Sequence, residues 1–489
     1  MDIYARPHRR SRKVLSTCSA RLQPNAFAFM KYDLIVIGGG PAGYVGAIRA
    51  AQLGKKVACV EKERAGGTCL NWGCIPTKAL LKNAETYSFL QHEATAFGFS
   101  FDNLTFDWGA IIARSRKVSD KLAGGVESLF KKNKVDYIRG TGFIDTGKKV
   151  RVLDAEGKTT TYDADNILVT TGVVSRDLPI LPFDGKTIIG SRDALVLKER
   201  PASIVIIGAG AIGAEFAYFF NAFGTEVTLV EMMPQILPVE DTETATVVQR
   251  AFTKQGIRVL VDTKTVGAKV EKDGVTIEVE KNGKKESIKA QVALVAIGIK
   301  ALLPEGTAKI ELTERGYIKI DANYKTNVDG VYSAGDIIGP PSLAHVASWE
   351  AIQVVEHIFE GHKPKKVDIF PGCTYCQPQV ASVGLTERAL KEKGIPYRVG
   401  KFPFQASGKA LAAGHADGFV KMLIGEKHGE ILGAHIVGYD ATELIAEITL
   451  AMTMEATWEE IEATIHAHPT LSEAVHEATS AALGKAINF

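Results

Sequence analysis

The chain has 489 residues, room for about three domains, with 46% hydrophobic residues, 23% charged residues and 47 glycines. This is the composition of an α/β enzyme; it excludes a disordered or fibrous chain, and no stretch approaches the roughly 18 uncharged apolar residues of a membrane span. The formal net charge is +2, but removing residues 1–30 turns 58 basic and 56 acidic residues into 52 and 55, and so mildly acidic a body gives no electrostatic reason to bind nucleic acid.

Residues 1–30 hold Arg6, Arg9, Arg10, Arg12, Lys13 and Arg21 against a single acid, Asp2. Such an Arg-rich, acid-poor leader is similar to a mitochondrial transit peptide and lacks a secretory apolar core. The other reading is an upstream start, with Met30 as the working initiator. The second reading predicts a cytoplasmic protein and the first a mitochondrial matrix one. Six cysteines in so long a chain are no disulfide framework, which favours a reducing compartment.

Residues 32–61 predict strand, glycine turn, helix, strand. The apolar run Leu34–Ile37 suits a strand buried on both faces. It runs into Gly38, Gly40 and Gly43, which permit a tight turn, close approach of a pyrophosphate and close helix packing. The following helix N-terminus offers unpaired N–H groups to phosphates. Glu61, 23 residues after Gly38, ends the second strand, where it would accept from the hydroxyls of an adenosine ribose.

The whole pattern returns 170 residues later as Gly208, Gly210 and Gly213, with Glu231 again 23 residues on. Even the helix exits match, LGKKV at 53–57 and FGTEV at 223–227. One glycine motif would be weak; two with matching strands, helices and acids point to two dinucleotide sites. Beyond Glu231 come Met232 and Met233 with no base nearby, so the second site favours NAD over NADP, whose 2′-phosphate a carboxylate repels.

Between the two units lies GGTCLNWGCIPTK, with Cys69 and Cys74 five residues apart. In a regular helix that spacing puts them about 7.5 Å apart along the axis and roughly 140° apart around it, beyond the roughly 4.4–6.8 Å Cα separation of a disulfide. If they pair, the segment is distorted or only beginning a helix, as Gly73 and Pro76 allow. A thiol at a helix N-terminus would be acidified by the dipole. Two structural cysteines or half a metal site are the alternatives, though no His or further Cys stands at ligand spacing, and no metal is expected. Cys373 and Cys376 form a CxxC, which reads as a redox motif, half a zinc site or a strand entry with structural thiols. Cys18 and Cys59 look incidental.

With these motifs the chain resembles the pyridine nucleotide–disulfide oxidoreductase family, and within it the dihydrolipoyl dehydrogenase branch, from about Lys31 to the C-terminus. The most specific segments are GGTCLNWGCIPTK, GVYSAGDIIG (330–339) and HAHPTLSEA (466–474). The resemblance implies FAD and NAD as cofactors, an NAD-dependent oxidation of dihydrolipoamide, and a Cys69–Cys74 redox disulfide. Cys69 would exchange with substrate and Cys74 would lie against the flavin. Lys78 would stand near the flavin, with Thr171, Gly172, Asp336, Ala344 and His345 also on the FAD side. Glu215 and Gly298 would line the nicotinamide site. His468 would be the acid–base group and Glu473 the carboxylate orienting it, an arrangement that suits imidazole chemistry. Thr470–Glu473 is also a capping-box pattern, and Pro469 a common helix-start residue.

In this family the histidine serves the other subunit, so a homodimer is implied, with lipoyl-bearing carrier proteins as partners. Three departures stand out: Thr77 for the commoner serine, Thr170 where alanine is usual, and no arginine–proline after Gly298. The competing functions are an NAD(P)H-dependent reductase of another disulfide such as glutathione, and a redox-silent subunit that binds carrier proteins; mercuric reduction is disfavoured because no cysteine follows Cys376.

The expected architecture is two Rossmann-like dinucleotide-binding domains plus a C-terminal α+β dimerisation domain. The FAD domain spans 31–175, and LPILPFDG at 178–185 marks the crossing to an NAD domain at 176–300. The chain then returns to the FAD domain at 301–370, with strand signals in YIKIDANYKTN (317–327) and GVYSAGD, and the interface domain covers 371–489. There, strands in QVASVG, GFVKMLI and ILGAHIVG precede helices in ELIAEITLAMTM and TWEEIEATI.

Overall fold

The computed structural model describes residues 31–489; the leader, with its transit-peptide and Met30 readings and Cys18, lies outside them. Strand β1 (Lys31–Ile37), helix α1 (Pro41–Gln52) and strand β2 (Val57–Glu61) form the first unit. Helices α2 (Gly67–Trp72) and α3 (Cys74–His92) carry the cysteines, and α4 (Trp108–Lys132) leads to β3 (Asp136–Arg139). Strands β4 (Thr141–Asp145), β5 (Lys149–Leu153) and β6 (Thr159–Val169) complete the run. The sheet order is β3-β2-β1-β6-β5-β4, parallel from β3 to β6 and antiparallel beyond.

The second unit repeats this order. After β7 (Val173–Ser175), β8 (Ile188–Ile189) and α5 (Ser191–Ala194) come β9 (Ser203–Ile207), α6 (Ala211–Ala222), β10 (Glu226–Val230), α7 (Thr242–Lys254) and β11 (Arg258–Leu260). A separate antiparallel sheet of β12 (Lys264–Glu271), β13 (Gly274–Lys281) and β14 (Lys284–Ala290) precedes β15 (Val292–Val295). The parallel sheet runs β11-β10-β9-β15-β8. The matched helix exits are real: Gly54 and Gly224 adopt φ +78° and +77°, a left-handed conformation that costs glycine nothing.

Strand β16 (Ile299–Ala301) pairs with β7, and β17 (Val331–Ser333) returns to the first sheet beside β6. The strand expected at 317–327 does not form. Only isolated bridges Leu312–Ile318 and Lys325–Tyr332 occur. The Asp321 carboxylate accepts from the backbone N–H groups of Asn323 and Lys325 at 2.8 and 2.9 Å, and an aspartate bonded to its own downstream backbone makes a turn rather than a ladder.

Helix α8 (Ala344–Glu360) packs against α1 through Ala42, Ala347 and Ala351, all buried. The rest is β18 (Pro371–Thr374), β19 (Gln379–Gly384), α9 (Glu387–Lys393), β20 (Tyr397–Pro403), α10 (Gly408–Ala413), β21 (Phe419–Gly425), β22 (Ile431–Gly438), α11 (Ala441–Thr453), α12 (Trp458–Ala463) and α13 (Glu473–Ala482). Its antiparallel sheet has the order β18-β19-β22-β21-β20, and the three strands and two helices foreseen here are present.

Helix α6 is buried on every side from Gly213 to Phe220, which explains why that run is apolar but for Glu215. An aromatic cluster fastens it to α3 and α4: Trp108 of α4 lies 5.4 Å from Phe219, and Tyr87 of α3 stacks on Phe223 at 5.2 Å. Such pairs contribute about 0.5–1.5 kcal/mol each beyond burial. The Trp108 indole N–H donates to Leu197 O at 2.9 Å, a further tie between α4 and the second unit. No described helix is long and apolar enough to cross a membrane.

Candidate active site

Both glycine turns are built for close backbone approach. Gly38 and Gly208 have φ +103° and +97°, and a Cβ on Gly43 or Gly213 would stand 1.7 or 1.9 Å from the carbonyl oxygen of Gly38 or Gly208. Helices α1 and α6 begin at Gly40 and Gly210 with no side-chain cap and no acid in the first turn, leaving the orphan N–H groups open to an anion. The two acids behave as a pair. Glu61 accepts from Gly39 N and Glu63 N at 2.7 and 2.8 Å, and Glu231 from Ala209 N and Met233 N at the same 2.7 and 2.8 Å. Each carboxylate is thus pinned at the lip of its own turn. Thr170 supplies a hydroxyl that donates to Gly38 O at 2.8 Å, tethering the first turn where alanine could not.

The cysteine segment is broken as its geometry requires. Helix α2 stops at Trp72, Gly73 takes φ −151° and ψ −110°, and α3 starts at Cys74. Cys69 is therefore inside one helix and Cys74 is the first residue of the next. Both are free thiols, with Cys69 hydrogen-bonded to Cys74. That bond draws the Cys74 thiol below its ordinary range, aided by the Lys78 ammonium and the Cys74 backbone N–H against the cost of burial. The same bond, with burial, pushes Cys69 up. The pair is polarised: negative charge belongs on Cys74 and the proton on Cys69. Thr77 donates from its hydroxyl to Gly73 O at 2.7 Å, fastening the break.

Lys78 and Glu215 meet across the two units. The Lys78 ammonium is 2.9 Å from both oxygens of Glu215 and 4.4 Å from the centre of the Tyr375 ring, and Tyr375 N donates to Glu215 Oε1 at 3.0 Å. Tyr375 escaped the sequence reading; its only signal was its place inside the CxxC. Those two cysteines are not a reactive pair. Burial pushes the Cys373 thiol up to about 11, and wholly buried Cys376 donates to Pro378 O at 3.3 Å.

On the flavin side, burial pushes the Asp336 carboxyl up to about 6. Glu350, also missed, accepts from Gly335 N at 2.8 Å and is pushed up to about 7 by burial. Thr171 donates from its hydroxyl to Leu302 O at 2.6 Å, and Gly172 next to it has φ +70°. Gly298 has φ +124° and open space around it; the missing arginine–proline beyond it is replaced by a Lys300–Asp177 ion pair at 3.2 Å. Ala344 opens α8 without a side-chain cap, and the His345 ring lies 3.0 Å from Pro371 O.

His468 and Glu473 form a dyad away from the thiols. The His468 Nδ1 donates to Glu473 Oε1 at 2.8 Å with the imidazole side chain 81% exposed, and Glu473 Oε2 accepts from Thr470 N at 2.8 Å. Only this half of the expected capping box exists. The helix starts at Glu473 with Ser472 as its cap, two residues later than a Thr470 cap would place it, and Pro469 stays in the preceding turn. The Thr470 hydroxyl donates to Ala467 O instead. The carboxylate shared between Thr470 and His468 lets the capping and catalytic readings coexist. Although desolvation opposes it, the Thr470 N–H and His468 hold Glu473 below the usual carboxylate range. Among the described residues no group of three or more His, Cys, Asp or Glu is placed to hold a metal ion.

Family models match nearly all of this architecture: pyridine nucleotide-disulphide oxidoreductase over residues 32–351, and the dimerisation domain of the same family over residues 370–479. The chain belongs to the pyridine nucleotide-disulphide oxidoreductase family. Among its relatives, a dihydrolipoyl dehydrogenase of Zymomonas mobilis is 46% identical over 463 residues, covering 94% of this chain and 99% of the relative. A mitochondrial dihydrolipoyl dehydrogenase of Pisum sativum is 41% identical, covering 94% of this chain and 92% of its own. The solved structure of LpdA from Mycobacterium tuberculosis superposes with a TM-score of 0.86 at 25% identity, covering 92% of this chain and 99% of that one.

Proposed function

We propose that the protein oxidises dihydrolipoyl groups on carrier proteins of 2-oxo acid dehydrogenase or glycine cleavage complexes, with FAD bound at the first unit and NAD⁺ as acceptor at the second. The observation that carries the proposal is the Cys69–Cys74 pair at the Gly73 break, beside the ion pair that joins the two glycine-turn units. FAD fits the first unit, whose cradle a Cβ would fill and whose helix N-terminus is uncapped; when bound, it supplies the two-electron relay from dithiol to nicotinamide.

His468 takes the proton of a substrate thiol at Nε2, since its Nδ1–H is committed to Glu473. The substrate thiolate attacks the Cys69 sulfur of the oxidised pair; the Cys69–Cys74 bond breaks, and Cys74 leaves as a thiolate. The second substrate thiol then attacks the substrate sulfur of the mixed disulfide. That step releases the cyclic disulfide and leaves two electrons on the Cys69/Cys74 dithiol. Lys78 and the α3 N-terminus hold the Cys74 charge, and the buried Glu215 carboxylate has the Lys78 ammonium as its partner.

The assembly proposed is a homodimer in which His468 serves the partner's thiols; an 81% exposed catalytic imidazole supports it. The same domain division read from the sequence, 31–175 with 301–370, 176–300 and 371–489, is proposed for the three parts. Six cysteines in so long a chain are no disulfide framework, and cytoplasm is the proposed compartment.

The deciding experiment is dihydrolipoamide-dependent NADH formation by wild type and Cys74→Ser, with NADP⁺ as a second acceptor. Turnover retained in Cys74→Ser refutes the thiol relay, and preference for NADP⁺ with glutathione would select the other branch of the family.

A further inference from the structure

Lys421 of β21 is 0% exposed, yet its ammonium is surrounded by three carboxylates: Asp241 Oδ1 at 3.0 Å, Glu243 Oε2 at 2.9 Å and Glu387 Oε2 at 2.7 Å. Asp241 and Glu243 open α7 in the second glycine-turn unit, whereas Glu387 opens α9 in the C-terminal part. One buried cation therefore sits where two units of the chain meet. Burying a lone ammonium costs several kcal/mol, so this position is built rather than incidental. Satellite contacts brace it. The Tyr397 hydroxyl donates to Glu387 Oε1 at 2.8 Å, Lys401 pairs with Glu243 at 3.1 Å, and Arg388 donates to Pro238 O at 3.1 Å.

What the cluster holds is the loop 232–240, which links Glu231 to Asp241. Within it the buried Leu237 has φ +47°, a conformation a non-glycine residue keeps only where its surroundings over-determine it. Its N–H donates to Ala209 O at 2.8 Å, the middle residue of the second glycine turn. The first unit has the same device in shorter form: Gly66 N donates to Gly39 O at 2.8 Å, and the chain passes straight into α2. In the second unit no redox helix follows, and the longer loop is anchored from outside.

We infer that Lys421 is a positioning residue for the nicotinamide dinucleotide: from the C-terminal part of the chain it fixes the loop that shapes the second glycine turn. The inference rests on the reading of that turn as the NAD site. The carboxylates that Lys421 pairs with belong neither to the thiol segment nor to the flavin side, so flavin reduction serves as the control.

The test uses flavin-loaded enzyme with Lys421→Met and Lys421→Arg. Binding of ADP-ribose, which carries the dinucleotide phosphates but no redox group, is measured by calorimetry, and flavin reduction by dihydrolipoamide is followed without nicotinamide. In Lys421→Met, ADP-ribose affinity falls about 5-fold and KM for NAD⁺ rises in step, while flavin reduction stays at the wild-type rate; Lys421→Arg recovers most of the loss. Unchanged ADP-ribose affinity, or a flavin-reduction rate that falls together with it, overturns the assignment. Should Lys421→Met purify without flavin, Arg388→Ala decides by the same titration: weaker binding supports the role and unchanged binding overturns it. Wild-type enzyme that binds no ADP-ribose would instead reject the NAD reading of the second turn, and the role of Lys421 with it.

Discussion

Lys78 and Glu215 stand 137 residues apart in sequence and 2.9 Å apart in space, with both Glu215 oxygens engaged. Lys78 leaves the redox helix four residues after Cys74, and Glu215 lies on the helix that follows the second glycine turn. This ion pair is the joint between the half of the protein that collects electrons and the half that discharges them.

Replacing Lys78 by Met leaves a carboxylate that is only 5% exposed without its cation. Breaking a buried pair costs about 3–5 kcal/mol, and the partial exposure of Lys78 lowers the expected loss to about 2 kcal/mol. Glu215→Gln is milder, since the amide oxygen still accepts from Tyr375 N. Urea denaturation of the three proteins gives the ranking wild type, Glu215→Gln, Lys78→Met; a Lys78→Met variant as stable as wild type contradicts it.

His468→Gln should fold normally, because the side chain is exposed, and lose about 10²–10⁴-fold in turnover. Glu473→Gln keeps an acceptor for Thr470 N but loses the charge facing His468, so its loss is smaller. The folded pKa of Glu473 is depressed, so its stabilisation is present above the ordinary glutamate value and is lost as pH falls through the lower, folded one. Urea denaturation of wild type and Glu473→Gln should differ at pH 8 and converge as the pH falls towards 3.5; a difference that does not shrink at the acid end contradicts this.

Glu350 runs the other way. Its folded pKa is raised from 4.5 to about 7, so its favourable, protonated state is fully present below the unfolded value and is lost as pH rises through the folded one. Glu350→Gln, which still accepts from Gly335 N, should match wild-type stability at pH 4.5 and exceed it at pH 8 by about 2 kcal/mol. Denaturation midpoints that differ equally at both pH values would contradict this.

The two glycine turns can be separated by mutation. In Gly43→Ala the new methyl collides with Gly38 O, and the protein should purify colourless. In Gly213→Ala the collision is with Gly208 O; the protein should stay yellow and be reduced by dihydrolipoamide, with KM for NAD⁺ raised at least about 10-fold. Loss of flavin from Gly213→Ala would contradict the assignment of the sites.

Much of the site could be read from spacing because its parts are local. The turn–helix–acid units rest on short-range backbone sterics, and the same 2.7 Å bond from Glu61 and Glu231 back to each turn follows from placing an acid at the end of the adjacent parallel strand. The strand expected at 317–327 failed for an equally local reason, the Asp321 turn, which its alternating apolar pattern concealed. Tyr375 and Glu350 left no pattern, since each matters through a neighbour distant in sequence.

By itself the sequence determined that two glycine-turn units flank a cysteine pair and that pairing of these cysteines needs a distorted or just-beginning helix, which Gly73 and Pro76 allow, because helix geometry and the absence of a Cβ act within a few residues. Only the tertiary structure decided which charges pair. Lys78 with Glu215, and Lys421 with Asp241, Glu243 and Glu387, find one another because burial penalises an unpaired ion wherever the packing of whole domains happens to leave it, and no spacing in the chain records that place.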